Sequence, residues 1–409
     1  MPRPVPPPLD VDRLIDDRRT RIIVCCGSGG VGKTTTAAAL GLRAAERGRH
    51  VVVLTVDPAR RLAQSMGLTS LDNTPRPVPG AVIQPQQSGS LHAMMLDMKR
   101  TFDEIVEAHS DPDRAAQILA NPFYQSLSSS FAGTQEYMAM EKLGQLRQSD
   151  EWDLIVVDTP PSRSALDFLD APQRLGRFLD GRLIRLLSAP TRVGGRAYLR
   201  VVTAGFGMLT GVITKVIGTQ VLRDVQTFVA AFDTMFGGFR QRAEDTYRLL
   251  QAPGTAFLVI ATPEPDALRE ASYFVERLAQ DRMPLAGLVV NRVHRSQAAQ
   301  LSAARSLAAA ETLESAPATL VRPNENPTAA AGRYPLAVTA LRLHAERMQL
   351  GERERRLEEH FTAAHPVIPV AKVPAQPEDV HDLDGLRAVG TELAKAADLA
   401  AAADAETSG

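Results

Sequence analysis

The sequence predicts an α/β protein with a doubly wound, mostly parallel sheet and an α-helical insertion. Three observations support this fold class: short apolar strand-like runs, long helical patterns between them, and a glycine-rich turn after the first run. The runs VVVLTV, LIVV and FLVIA are apolar throughout rather than alternating. Such runs are typical of parallel strands covered by helices on both faces. Strands that alternate with helices then predict an open, doubly wound sheet.

Seven strands are predicted from runs rich in β-branched and apolar residues. Three prolines, Pro75, Pro77 and Pro79, predict an exposed loop between the second and third strands. A strongly charged stretch at Leu341–Phe361 predicts a helix with a solvated surface. The predicted strands are Arg21–Cys26, Val51–Val56, Leu91–Asp97, Leu154–Asp158, Phe257–Thr262, Leu285–Asn291 and Val367–Val370.

The strand pattern is interrupted, which predicts a core in two parts. Residues 1–170 form its first part, and residues 253–393, with added helices, form its second. Residues 171–252 contain no convincing strand and are predicted to be an α-helical insertion. Residues 394–409 are expected to be a fraying helix and flexible tail.

Composition excludes several classes of protein. The chain is 44% hydrophobic and 23% charged with a net charge of -1, which is typical of a soluble globular protein and does not indicate a nucleic-acid binder. Cys25 and Cys26 are adjacent in an apolar run, so we expect buried strand residues rather than a disulfide or metal site. The apolar run Val201–Thr214 is shorter than the roughly 20 residues that span a bilayer. We therefore expect a cytoplasmic protein, with a peripheral position at the inner face of the membrane as a second location.

Residues 27–34 match the phosphate-binding pattern Gly-x-x-x-x-Gly-Lys-Thr between a strand and a helix. The glycines allow backbone N–H groups to converge on phosphates, and the helix N-terminus adds its positive dipole. Lys33 is expected to neutralise the β- and γ-phosphates, Thr34 to reach Mg²⁺ and Thr35 to contact the α-phosphate. The predicted nucleotide-binding residues of the loop are Gly29, Gly30, Val31, Gly32, Lys33, Thr34 and Thr35.

Two acids end predicted strands and complete a candidate site for ATP and Mg²⁺. A nucleotide hydrolase needs a carboxylate that orients the metal and a group that positions water. Asp158 ends the apolar run LIVVD, and we expect it to hold Mg²⁺ through the metal's water shell. Asp57 follows VVVLTV and precedes Pro58, which leaves two interpretations open. It could cap the next helix, or it could point at the γ-phosphate, its attacking water and the metal.

The base-binding end of the site is less specific in sequence. Asn291 ends the predicted strand LVVN, where ligands bind in such sheets, and its amide can pair with a base edge. A turn-forming asparagine is the alternative. Pro374, in the run Lys372-Val373-Pro374 after the last predicted strand, is a candidate wall for the base. Its alternative is a proline that ends the strand.

Five segments together resemble the ArsA family of ATPases, which includes the arsenite-efflux subunit and targeting factors for tail-anchored membrane proteins. They are CCGSGGVGKTTTAAALGLRAAERGRHVVVLTVDPARRL, WDLIVVDTPPSRSALDFLDAP, ATPEPDALREA, LAGLVVNRV and VPAQPEDVHDL. The chain looks most similar to actinobacterial ArsA-like anion-transporting ATPases, which occur as two different related chains. The resemblance implies a SIMIBI-type P-loop NTPase fold and ATP hydrolysis.

The resemblance also implies roles for individual residues. Asp57 lies in the first switch, whose acid is assigned to the hydrolytic water and so becomes a catalytic candidate with Lys33. Asp158–Ser164 matches the second switch, and Asn291 matches the adenine-contacting position. The insertion has apolar helical faces over residues 208–222 and 228–236, which by resemblance could form a groove for a hydrophobic client or membrane partner. The alternatives are a packed interior or a dimer-facing surface.

Three departures from the family pattern change these expectations. The second switch reads DTPPSRS rather than the usual DTAPTGH, so coupling of hydrolysis to movement is expected to differ. The paired cysteines that bind zinc across the targeting-factor dimer are absent, so no zinc is expected. The adjacent Cys25 and Cys26 do not supply a thiolate triad for arsenite, so direct arsenite binding is not expected.

The third departure, Ser28, occupies the position of a lysine that crosses the dimer to the partner's phosphates. Serine carries no charge and is too short to cross. We therefore expect a heterodimer with a lysine-bearing ArsA-like paralogue, with a homodimer second. A nucleotide-binding regulatory or scaffold subunit with little hydrolysis is the alternative function.

Overall fold

The computed structural model describes residues 6–57, 61–81, 89–122, 124–125, 134–160, 241–242, 244–315 and 335–407. The predicted insertion lies outside these ranges up to residue 240, and residues 244–251 at its end are helical. Residues 161–164 of the second switch also lie outside. The predicted domain boundaries therefore stay predictions.

The core of the chain is an eight-stranded sheet in the order β3-β4-β2-β5-β1-β6-β7-β8. All neighbouring strands are parallel except the short β3, which pairs antiparallel with β4. This architecture confirms the predicted α/β fold class. The strands are β1 Ile22–Cys26, β2 His50–Thr55, β3 Arg76–Pro77, β4 Ser90–Met95, β5 Leu154–Asp158, β6 Thr255–Ala261, β7 Leu285–Val293 and β8 Val370–Pro374.

Helices connect and cover these strands. In the described part of the chain they are α1 Val11–Asp16, α2 Lys33–Glu46, α3 Arg61–Ser65, α4 Met98–His109, α5 Pro112–Ala120, α6 Thr134–Gln148, α7 Pro265–Gln280, α8 Ala303–Ser315, α9 Pro335–Ala364 and α10 Leu383–Thr407. Helices α2 and α10 pack against each other, while α7 packs on β6 and β7 and is covered by α9. Within the described ranges, no helix is long and apolar enough to cross a membrane.

Strand β1 lies at the point where the strand order reverses. It pairs with β5 on one side and β6 on the other, and Cys25 is in register with Asp158. Both cysteines of β1 are free and fully buried, as predicted, and burial raises the pKa of the Cys26 thiol to about 12. Ligands bind at the carboxyl ends of strands at such a reversal point. The loop after β1 therefore occupies the position in the sheet where a ligand is expected.

Helix α2 approaches the sheet closely at Gly41, and most of its buried residues are small. Ala37, Ala38 and Ala39 are buried, and a Cβ atom on Gly41 would lie 2.5 Å from Val53 Cγ2 of β2. A larger residue at Gly41 would push the helix away from the sheet. This packing fixes the start of α2, and with it the phosphate-loop motif, against the end of β1.

The last strand differs from its predicted position of Val367–Val370. It runs from Val370 to Pro374, so Pro374 ends the strand rather than following it. The prediction was wrong because HPVIP forms a turn in which Ile368 N–H bonds to His365 O, and Val367 is 82% exposed. The predicted proline loop likewise contains the short strand β3.

The sheet edge at β8 is covered by the N-terminal segment, which the sequence analysis did not predict. Val370 N–H donates to Pro7 O, and Leu9 N–H donates to Val370 O. At the other end of the chain, α10 continues to Thr407, through most of the segment from Ala394 for which we predicted a fraying helix and tail.

Candidate nucleotide-binding site

The phosphate-loop motif connects β1 to α2 and depends on glycine at two positions. Gly27 has φ +153°, and a Cβ atom there would lie 2.1 Å from Ile260 O of β6. Gly32 caps α2 with φ +94°, and a Cβ atom there would lie 2.2 Å from Asn291 Nδ2. Gly29 and Gly30 are exposed, whereas Val31 is buried. The loop is therefore fixed at both ends and open in the middle.

The steric and conformational roles of these glycines can be separated. We expect Gly27→Ala to lower the free energy of unfolding by at least about 2 kcal/mol, because a backbone carbonyl blocks the added methyl group. Gly30→Ala is the matched control, with φ +78° and nothing within 4 Å of its Cβ position, and should cost roughly 1 kcal/mol. Urea unfolding of the nucleotide-free chain checks both, and equal costs would contradict the role of Ile260.

Lys33 lies folded against its own loop. Its ammonium donates to Ser28 O at 2.8 Å, and the side chain is only 5% exposed. Burial lowers the pKa of Lys33, opposed by the nearby charge of Asp158. A buried ammonium at a helix N-terminus suits a highly charged anion, because phosphate oxygens would supply the negative charge that burial otherwise leaves unbalanced.

Asp158 ends β5 beside the first residues of α2. Its Oδ2 atom accepts hydrogen bonds from Thr34 Oγ1 at 2.8 Å and Thr55 Oγ1 at 2.9 Å. The carboxyl is fully buried, which raises its pKa to about 6 against the lowering effect of those two hydroxyls and Lys33. The Oδ1 atom is buried with no hydrogen-bond partner in the described part of the chain.

This carboxylate and the Thr34 hydroxyl fit the chemistry of a hydrated Mg²⁺ ion. Magnesium prefers oxygen ligands and usually keeps several waters, which would donate to the unpaired Oδ1 atom. A divalent cation would also favour the charged form of the carboxyl that burial disfavours.

Asp57 follows β2 at the same edge of the sheet and is half-buried. Its N–H donates to Thr55 Oγ1 at 3.2 Å, so its backbone is tied to the residue that also contacts Asp158. Residues 58–60 lie outside the described ranges, so the alternative in which Asp57 caps a helix stays a prediction. Sequence reasoning missed Thr55, although a lone polar residue at the end of the apolar run VVVLTV was a signal.

Asn291 reaches the loop from two strands away. It lies inside β7, not in a turn, and its Nδ2 atom donates to Val31 O at 2.8 Å while Oδ1 accepts from Arg292 N–H. Pro374 is half-buried at the end of β8, in register with Val293. The structure thus brings Asn291 to the phosphate loop, a contact with no signal in the local sequence, and leaves Pro374 on the next strand.

The remaining predicted residue of the loop, Thr35, is half-buried in the first turn of α2. The carboxyl ends of β1, β2, β5 and β7 therefore converge on one site. A family model described as anion-transporting ATPase (ArsA_ATPase) matches residues 20–316. The chain belongs to the ArsA family of ATPases. The match includes the phosphate loop, both acids and Asn291, and it confirms the predicted class of enzyme, an ATPase.

Three curated relatives share between 23% and 29% identity with the chain. The chain is 29% identical over 172 residues to ATPase GET3 of Malassezia globosa, which covers 42% of this chain and 48% of the relative. It is 24% identical over 291 residues to ATPase get3 of Schizosaccharomyces japonicus, which covers 70% of this chain and 79% of the relative. It is 23% identical over 293 residues to the ATPase ASNA1 homolog of Entamoeba dispar, which covers 70% of this chain and 80% of the relative. The chain thus spans about half of the first relative and about four fifths of the other two.

Proposed function

We propose that this ArsA-family chain binds and hydrolyses Mg-ATP and that nucleotide-dependent closure with a second chain drives the handling of a hydrophobic client or membrane partner. The observation that carries the nucleotide chemistry is the Asp158 carboxylate, buried between the hydroxyls of Thr34 and Thr55 with one oxygen unpaired in the described part of the chain. A metal held there would neutralise charge on the β- and γ-phosphates.

Each residue of the site receives a role in this proposal. Backbone N–H groups of the loop bind phosphate oxygens, Lys33 neutralises them, and Asp57 orients the attacking water. Thr34 and Asp158 hold the metal, Thr35 contacts the α-phosphate, and Asn291 meets the adenine. Pro374 forms a wall for the base. The proposed nucleotide-binding backbone positions are Gly29, Gly30, Val31 and Gly32.

Ser28 supports a second, different chain in the active assembly. It is half-buried and is followed by the exposed Gly29 and Gly30, so this end of the loop is accessible to a partner. A serine supplies no cation for the charge that develops during phosphoryl transfer, whereas a positioned cation is worth about 10³–10⁵ in rate. We propose that a lysine-bearing paralogue supplies it. The same serine favours the second candidate function, a regulatory subunit that binds ATP with little hydrolysis.

The variants Ser28→Lys and Ser28→Met separate these two functions. Phosphate release by the chain alone should rise at least about tenfold with Ser28→Lys. It should stay unchanged with Ser28→Met, because methionine is similar to lysine in length but carries no charge. Phosphate release by the wild-type chain should rise by a similar factor when the lysine-bearing paralogue is added. ATP binding without turnover in all three conditions would instead indicate the regulatory subunit, and the absence of ATP binding would refute both functions.

A further inference from the structure

Thr55, the last residue of β2, carries a buried hydroxyl at the end of the apolar part of that strand. The residues before it, from Val51 to Leu54, are all apolar and buried, and Thr55 is 1% exposed. Parallel pairing of β2 with β5 sets Thr55 in register with Asp158. Its position in the sheet therefore places the hydroxyl beside the carboxylate of the metal site.

The hydroxyl has partners on both sides. A hydroxyl offers one proton and two lone pairs. The proton goes to Asp158 Oδ2 at 2.9 Å, since the only other acceptor recorded for it in the described ranges, Asp57 O, is 3.5 Å away. A lone pair then accepts the N–H of Asp57 at 3.2 Å. One oxygen atom thus links the carboxylate of Asp158 to the backbone of Asp57.

We propose that Thr55 is a positioning residue for ATP hydrolysis, whose hydroxyl holds the backbone of Asp57 at a fixed distance from the Asp158 carboxylate. This inference rests on the proposed function, because it assigns Asp57 to the attacking water and Asp158 to the metal. Water and metal must be held in a common geometry for in-line attack, and small displacements of such groups are costly in rate. Thr55 supplies that common geometry without touching the substrate.

A purely structural role would not require the hydroxyl. Valine has nearly the same shape as threonine, suits a β-strand equally well and would continue the apolar run. Removing the hydroxyl deprives a buried carboxylate oxygen and a backbone N–H of a hydrogen bond at the same time. Replacing Thr55 by valine should therefore change the positions of Asp57 and Asp158 more than the packing of the sheet.

The test compares Thr55→Val, which removes the hydroxyl, with Thr55→Ser, which keeps it. We expect Thr55→Val to lower kcat about tenfold or more while the Kd for Mg-ATP changes less than about threefold, and Thr55→Ser to restore kcat to within about threefold. Thr255→Val is the matched control. It removes another buried threonine hydroxyl of the sheet, which donates to Leu249 O at the opposite end of its strand.

A second measurement does not depend on ATP turnover. Hydrogen exchange of the Asp57 amide in the nucleotide-free chain should be about tenfold faster in Thr55→Val than in wild type, and unchanged in Thr55→Ser and Thr255→Val. If the wild-type chain proves inactive, the proposed function fails while amide exchange still decides whether Thr55 holds Asp57. Equal loss of kcat in Thr55→Ser, or unchanged exchange in Thr55→Val, would overturn the inference.

Discussion

Asp57→Asn is expected to lower kcat for ATP at least about a hundredfold while leaving the Kd for Mg-ATP within about threefold of wild type. The substitution keeps the shape of the side chain and the N–H that bonds to Thr55, but removes the charge that we propose orients and polarises the attacking water. Phosphate release measured with and without the proposed lysine-bearing paralogue checks kcat, and ATP titration checks the Kd separately.

Asp97→Asn is the matched control for this experiment. Asp97 follows β4, the strand next to β2, and caps α4 by accepting from Arg100 N–H at 2.9 Å. Asparagine caps helices as well as aspartate does, so this variant should retain wild-type turnover. If Asp57 were only a helix cap, Asp57→Asn would behave the same way. Turnover within threefold of wild type for both variants would remove Asp57 from catalysis.

Asp158→Asn should change stability and turnover in opposite directions. Burial raises the folded-state pKa of Asp158 to about 6, above its ordinary value of 3.8, so the folded state binds more protons than the unfolded state between these values. Stability therefore falls as pH rises through this window, and the loss is complete above it. At pH 8, without nucleotide and metal, Asp158→Asn should be more stable than wild type by about 3 kcal/mol.

This gain should shrink as the pH falls from 7 toward 4, because the wild-type carboxyl then becomes protonated. In the presence of Mg-ATP the variant should be at a disadvantage. Its turnover should fall at least about a hundredfold, and the nucleotide should stabilise the variant less than it stabilises the wild type. Urea unfolding between pH 5 and 8 and phosphate release provide the measurements. A gap in stability that does not vary with pH would contradict the assignment of this pKa.

Asp153→Asn is the control, and it should change the stability of the folded state at pH 8 in the opposite direction to Asp158→Asn. Burial alone would raise the pKa of Asp153, but the His50 N–H and the charge of Arg18 outweigh it and leave the pKa lowered. The wild-type carboxylate therefore stabilises the folded state above about pH 4, and its removal should lower stability at pH 8.

Much of the sheet could be predicted from the sequence because its central strands carry unusually clear signals. The apolar runs of β1, β2, β5 and β6 are buried on both faces, so they lack the alternation of half-buried strands. The phosphate-loop motif was equally predictable from the sequence, since its glycines, lysine and threonine must occur at fixed spacing. The edge of the sheet was harder, because the β-branched Val367 and Ile368 lie in a turn, and Pro7 to Leu9 pair with β8 without any strand-like composition.

The contacts inside the site could not be predicted in the same way. Thr55 and Asp158 are 103 residues apart in the chain, and Asn291 and Val31 are 260 apart. Their pairing follows from strand order and register, which the composition of each strand does not specify. The sequence therefore predicts that Asp57, Asp158 and Asn291 lie at the carboxyl edge, but not which side chains there contact each other.

The hydrogen bond from Asn291 to Val31 has a thermodynamic consequence for ligand recognition. Any group that competes for the Asn291 amide also acts on the backbone of the phosphate-loop motif. If Asn291 contacts the base as proposed, recognition of the base and of the triphosphate is linked, and binding of either must change the affinity for the other by the same factor. Selectivity among nucleotides would accordingly be expressed partly at the phosphate end, far from the atoms in which the bases differ.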